Sequence, residues 1–173
     1  MRTPIAFTAA VLTVFTPRQG ASQAVSALQP LYEIAKGWIV KSAEQMPEAN
    51  YSFKPTPAVR SFGEIIGHVA DATYMFCATA KGEKSPATQS YEKVAAKADL
   101  VKAVKDAFAY CDPVYKMPDA SFTESAEMFG MKMTRLGWMI LNVNHDNEHY
   151  GNLVTYFRLK GMVPPSSQPG NTM

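Results

Sequence analysis

The sequence predicts an all-α protein, a four-helix bundle with long crossover connections in which helices two and three run parallel. Four segments carry apolar residues at three- and four-residue steps, which is the spacing of one helix face. Proline and glycine residues separate these segments, and 173 residues are the size of one ordinary domain. About 14 residues join segments two and three, and at ~3.3 Å each they can return the chain along a helix about 30 Å long.

The first 22 residues have the composition of a secretory signal peptide. A positive start at Arg2 precedes an uncharged apolar stretch from Ile5 to Phe15, and small residues follow at positions 20–22. The apolar stretch is too short for a membrane-spanning helix, which needs roughly 20 residues. We therefore expect residues 1–22 to be removed, and residues 23–173 to form one domain that is periplasmic or secreted. The alternative is an apolar N-terminus on a cytoplasmic protein.

Removing the signal would leave a domain near neutrality. The chain has a formal net charge of +2, with 17 basic and 15 acidic residues, and Arg2 and Arg18 account for the excess. The sequence contains no basic stripe or Lys/Arg run of the kind that nucleic-acid binding requires. We therefore predict no nucleic-acid partner and no stable membrane span after signal cleavage, while a homodimer stays open.

The first predicted helix runs roughly from Leu28 to Met46. Pro30 would sit in its first turn, where a missing N–H costs little, and Pro47 ends it. An extended connection follows over residues 53–57, because a proline disfavours helical backbone in the residue before it.

The second predicted helix has signals at both ends. Ser61 and Glu64 have the spacing of a capping box, and Gly82 suits the position just past the last turn. His68 lies on the apolar stripe of this helix.

Two further helices follow. The third begins near Leu100 and ends before Pro113, and residues 118–131 are expected to form an irregular crossover. The fourth runs roughly from Thr134 to Gly161, where a glycine and two prolines give a strong stop.

The three histidines of the chain, His68, His145 and His149, form a candidate metal site. His145 and His149 are four residues apart, which places both imidazoles on one face of helix four. His68 is costly to bury without a partner, and ligation would remove that cost. Three protein ligands leave a tetrahedral ion one open position, as in catalytic sites. Each half of this site has an alternative interpretation. His68 could be an ordinary core residue, and His145 and His149 could be a surface pair that binds no metal.

Acidic residues near the histidines are candidates to orient the imidazoles. Asp71 lies one turn beyond His68, and Glu148 is next to His149. Asp146 directly follows His145 and is a further candidate, although an ordinary solvated helix charge is the preferred interpretation for Asp146. A cofactor of one divalent transition metal follows, with zinc or nickel the leading choices among the metals that imidazole binds.

The two cysteines, Cys77 and Cys111, fit a disulfide in an oxidising compartment. They would lie level in parallel helices two and three, but about 15 Å apart in an antiparallel hairpin. A disulfide needs Cα atoms within about 7 Å. The disulfide and the parallel arrangement therefore depend on each other.

Three stretches of the sequence resemble the DinB/YfiT-like family. They are Tyr51–Pro57 leading into Ser61–Asp71, then His145–Asn152, and Arg158–Pro165. The resemblance implies a four-helix bundle with one metal-ligating histidine on helix two and two on helix four, which are His68, His145 and His149. Related branches include thiol transferases and isomerases. The signal segment and the cysteine pair depart from the intracellular pattern, which makes a cytosolic thiol cosubstrate doubtful.

Two functions remain open at this point. One is a metal-dependent transferase or hydrolase acting on a small molecule. The other is a non-catalytic metal- or ligand-binding protein of the envelope, in which the metal braces helices two and four. A polar cavity beside the metal, with groups such as Asn142, Asn152 or Tyr156, favours the enzyme.

Overall fold

The computed structural model describes residues 24–170. In this range it contains four α-helices and one β-hairpin: α1 (Ala24–Gln45), α2 (Phe62–Lys81), α3 (Lys97–Cys111), β1 (Ser125–Met128), β2 (Met131–Thr134) and α4 (Arg135–Leu159). The all-α prediction is confirmed. The expected signal segment lies outside the described residues, so its cleavage stays a prediction. None of the described helices is both long and apolar enough to cross a membrane.

Helices α2 and α3 run parallel, as predicted. The side chain of Leu100, near the start of α3, lies against Gly63 at the start of α2. At the other end the Cα atoms of Cys77 and Cys111 are 5.5 Å apart, which is disulfide distance. The connection between these helices therefore crosses the length of the bundle.

The start of α2 is fixed by the predicted capping box. The hydroxyl of Ser61 accepts a hydrogen bond from the backbone N–H of Glu64, and the Glu64 carboxylate accepts one from the backbone N–H of Ser61, at 3.2 and 2.6 Å. Gly82 closes the helix with a φ of 75°, a conformation that favours glycine. These two ends set the register that points His68 toward α4.

Within the described residues, helix α1 extends further toward the N-terminus than the sequence predicts. The carboxylate of Asp119 accepts hydrogen bonds from the backbone N–H groups of Ala24 and Val25, at 3.0 and 3.2 Å. Pro30 consequently lies inside the helix rather than in its first turn, which corrects the prediction. The carboxylate that accepts from Ala24 is 95 positions away in the chain, so local sequence patterns could not indicate this contact.

The predicted irregular crossover at 118–131 is in part regular. β1 and β2 pair antiparallel with Met128 opposite Met131, and the turn residues Phe129 and Gly130 have φ values of 54° and 72°. Two successive positive φ angles match the right-handed twist of a tight hairpin. The indole N–H of Trp138 donates to the carbonyl of Ala126 at 3.0 Å, which holds the hairpin against α4.

Candidate metal centre

The three histidines converge on one point between α2 and α4. The Nε2 atom of His145 lies 3.1 Å from Nε2 of His68 and 3.0 Å from Nε2 of His149. A single nitrogen from each ring can be chosen so that all three lie within 4.8 Å of one another. The one-turn spacing on α4 and the facing position on α2 thus bring the sequence-predicted residues together.

The geometry of this cluster fits a metal ion. Three nitrogens bound at about 2.0–2.1 Å around a tetrahedral ion would be about 3.3 Å apart, a few tenths of an ångström more than the two short separations. A neutral imidazole has one N–H and one lone pair. Three Nε2 atoms that point at one another cannot all be satisfied by hydrogen bonds among themselves, whereas a cation satisfies three lone pairs at once.

The imidazoles of His145 and His149 on α4 are in the neutral form that binds a metal. Burial lowers the pKa of both His145 and His149 to about 4. Positive charge acts in the same direction, from His149 and His68 on the pKa of His145 and from His68 and Arg60 on the pKa of His149. Both imidazoles are therefore neutral at pH 7, which is the state that binds transition metals. His149 is buried, while His145 and His68 are half-buried.

The Nδ1 atoms on the far side of the rings have different surroundings. Nδ1 of His68 lies 3.0 Å from a carboxylate oxygen of Glu92, and Nδ1 of His149 lies 3.4 Å from the side-chain amide of Asn152. Nδ1 of His145 is buried and has no hydrogen-bond partner within residues 24–170. Only the ring on α2 therefore has a carboxylate partner in the described part of the chain.

Asp71 does not orient an imidazole directly. Its carboxylate accepts hydrogen bonds from the Ser90 hydroxyl and from the backbone N–H groups of Tyr91 and Glu92, at 3.0, 2.9 and 3.2 Å. The predicted role of Asp71 beside the histidine is thus replaced by an indirect one, through the segment that carries Glu92.

The two acidic residues between the helix-four histidines point in different directions. Glu148 is exposed, lines the same cleft as His149, and opposes the lowering of the pKa of His145 through its charge. Asp146 is wholly buried, so its interpretation as a solvated charge is wrong. Burial raises the pKa of Asp146 well above its usual value.

A buried polar chain extends from Asp146 into the bundle. The side-chain amide of Asn142 donates to the Tyr115 hydroxyl at 3.0 Å and faces the Asp146 carboxylate at 3.3 Å. The Tyr115 ring stacks on Tyr32, with centroids 3.8 Å apart. Asn142 is therefore part of the core and not one of the cavity groups that the sequence suggested.

A polar cleft of about 780 Å³ opens beside the histidines. Its walls include His149 and Glu148 from α4, Glu92 from the link between α2 and α3, and the proline-rich segment 54–60. Asn152 and Tyr156 line it, as predicted for a ligand cavity, and the Tyr156 hydroxyl donates to the carbonyl of Arg60. Of the three histidines, His149 lines this cleft, so the cluster borders the cleft through that ring.

Glu92 and Arg60 are site residues that sequence reasoning missed. Glu92 lies in a polar link without periodicity, so its position could not be inferred from a helix face. A signal was present in Gly67, directly before His68, because a glycine inside a helix marks a close backbone approach. A Cβ on Gly67 would lie 2.7 Å from the backbone nitrogen of Glu92.

Fold and site together define a helical-bundle protein with a three-histidine cluster that can hold a metal ion. The chain belongs to the DinB superfamily, whose family model matches residues 38–153.

Two solved structures are similar in fold. A DinB-like protein from Bacillus cereus ATCC 10987 has a TM-score of 0.71 at 15% identity, covering 81% of this chain and 95% of its own. A DinB-like protein from Bacillus subtilis has a TM-score of 0.67 at 20% identity, covering 83% and 99%. No curated protein matches the chain. At these identities the similarity shows the shared fold.

Proposed function

We propose that the protein is a metal-dependent enzyme, a transferase or hydrolase of a small molecule, with one divalent ion held by His68, His145 and His149. The observation that carries this proposal is the convergence of three imidazole nitrogens next to a polar cleft that His149 lines. Three protein ligands leave an ion with an exchangeable position, as in catalytic sites. Zinc and nickel are the proposed metals, since both bind neutral imidazole.

The cleft supplies the groups that a small substrate needs. When bound, the ion supplies Lewis acidity toward a carbonyl oxygen or a thiolate. Glu148 offers a carboxylate that can accept a proton, and the amide of Asn152 can orient a polar ligand next to His149. Lys54 and Arg60 add positive charge, each paired with a glutamate at 2.9 Å. These residues support binding and proton transfer within one cavity.

The competing function is a brace, in which the ion joins α2 to α4 and no ligand exchanges at it. Cobalt substitution separates the two functions without knowledge of the substrate. We expect the visible spectrum of the cobalt-loaded protein to change when a small thiol, 2-mercaptoethanol, is added, because the open position accepts the thiolate. Protein loaded with cobalt after His149→Ala is the control for non-specific ion binding.

A cobalt spectrum that is typical of bound imidazole but insensitive to thiol and to azide would contradict the enzyme and favour the brace. Failure of the wild type to bind cobalt at all would contradict both.

A further inference from the structure

The link between α2 and α3 lies tightly on the helix that carries His68. Gly67 has no side chain, and the backbone of Tyr91 and Glu92 occupies the space where a Cβ would be. A substituent there would collide with backbone atoms, which cannot swing aside as a flexible side chain can. Because Gly67 has no Cβ, the link can contact α2 directly beside His68.

Asp71 fixes the same segment from the next turn of α2. Its two carboxylate oxygens accept three hydrogen bonds, from the Ser90 hydroxyl and from the N–H groups of Tyr91 and Glu92. Hydrogen bonds to a charged acceptor are about twice as strong as neutral ones. The Cα of Glu92 consequently has a defined place relative to α2.

The Glu92 side chain is also held at both oxygens. One oxygen accepts from Nε of Arg60 at 2.9 Å, and the other lies 3.0 Å from Nδ1 of His68. The carbonyl of Arg60 accepts a hydrogen bond from Tyr156 on α4. The carboxylate therefore contacts the Arg60 guanidinium with one oxygen and the imidazole with the other, and it is about one-third exposed, at 35%.

We propose that Glu92 is the positioning residue of the metal centre, and that it acts through His68. A carboxylate at Nδ1 keeps the proton on that nitrogen, which leaves the lone pair of Nε2 directed at the point where the three rings meet. His68 is the one ligand from α2, so its orientation decides whether the helix-four pair gains a third ligand. The proposal rests on the metal site of the proposed function.

The test is zinc affinity at fixed pH, measured by competition with a chromophoric chelator. We expect Glu92→Ala to weaken zinc binding about 10- to 100-fold, which is the usual effect of losing such a partner of a ligand. Glu92→Gln keeps a hydrogen-bond acceptor and should lose less. Glu64→Gln is the matched control. Glu64 lines the same cleft and pairs with Lys54 at 2.9 Å, but its carboxylate accepts a hydrogen bond from the backbone of Ser61 at the start of α2.

Nitrogen-15 spectra of the histidine side chains separate positioning from a general effect on folding. In the zinc-loaded wild type we expect a protected Nδ1–H signal from His68, retained in Glu64→Gln and lost in Glu92→Ala. The metal-free variants and the metal-free wild type should have similar thermal unfolding midpoints, because the Glu92 side chain is partly exposed. Asp71→Asn should give a smaller loss of affinity in the same direction.

The outcomes distinguish the two proposals. If the wild type and Glu64→Gln bind zinc and Glu92→Ala binds it equally well with its Nδ1–H signal unchanged, the positioning role is overturned while the metal site stands. If the wild type binds no zinc, the metal site itself is overturned.

Discussion

Replacing His145 with alanine is expected to weaken metal binding about a hundredfold or more. His145 is the central ligand, since its Nε2 lies within 3.1 Å of Nε2 of both other rings. Structural zinc sites gain roughly 10–16 kcal/mol from four ligands, so one ligand accounts for about 3 kcal/mol, or about two powers of ten in affinity. Chelator competition with zinc measures the difference directly.

A matched control for this variant is Phe76→Leu. The Phe76 ring packs against His145, with centroids 5.5 Å apart, but has no atom that binds a metal. Phe76→Leu should therefore lose some stability and keep the wild-type zinc affinity within about a factor of three. Equal affinity in wild type and His145→Ala would remove His145 from the site.

Reducing the Cys77–Cys111 pair is expected to lower the free energy of unfolding by about 4 kcal/mol. The cysteines are 34 positions apart, and in the chain-entropy model a cross-link that closes such a loop restricts the unfolded chain by about this amount. Both side chains are buried, at 1% and 0% exposure. Urea unfolding of oxidised and dithiothreitol-treated protein measures the difference without changing the sequence.

The double variant Cys77→Ala/Cys111→Ala controls for effects of the reductant. Its unfolding midpoint should not respond to dithiothreitol, while that of the wild type should fall. Coincident unfolding curves for the oxidised and reduced wild type, or two titratable thiols in unreduced protein, would show that no disulfide forms. The parallel arrangement of α2 and α3 would then rest on packing, such as that of Leu100 on Gly63, alone.

The elements that depend on local chemistry could be predicted from the sequence. The capping box at Ser61 and the glycine at Gly82 define α2, and the i, i+4 spacing of His145 and His149 places two rings on one face. The 5.5 Å Cα separation of the cysteines agrees with the argument from the length of the link. Each of these signals acts over a few residues or follows from a simple distance limit.

The features that sequence reasoning missed depend on contacts between distant segments. The Asp119 carboxylate accepts a hydrogen bond from the backbone of Ala24, 95 positions away, and Glu92 reaches His68 across 24 positions. Asp146 looks like any helix-surface acid in the sequence, yet it is wholly buried beside Asn142. No periodicity encodes such contacts, because they arise when the helices pack.

The most direct test of the account is elemental analysis combined with X-ray absorption on purified, metal-replete protein. We expect one zinc or nickel ion per chain, with an absorption spectrum that fits three imidazoles at about 2.0–2.1 Å. Protein lacking all three histidines should contain no stoichiometric metal. Wild-type protein without stoichiometric metal, or with an ion whose spectrum shows no imidazole ligands, would contradict it.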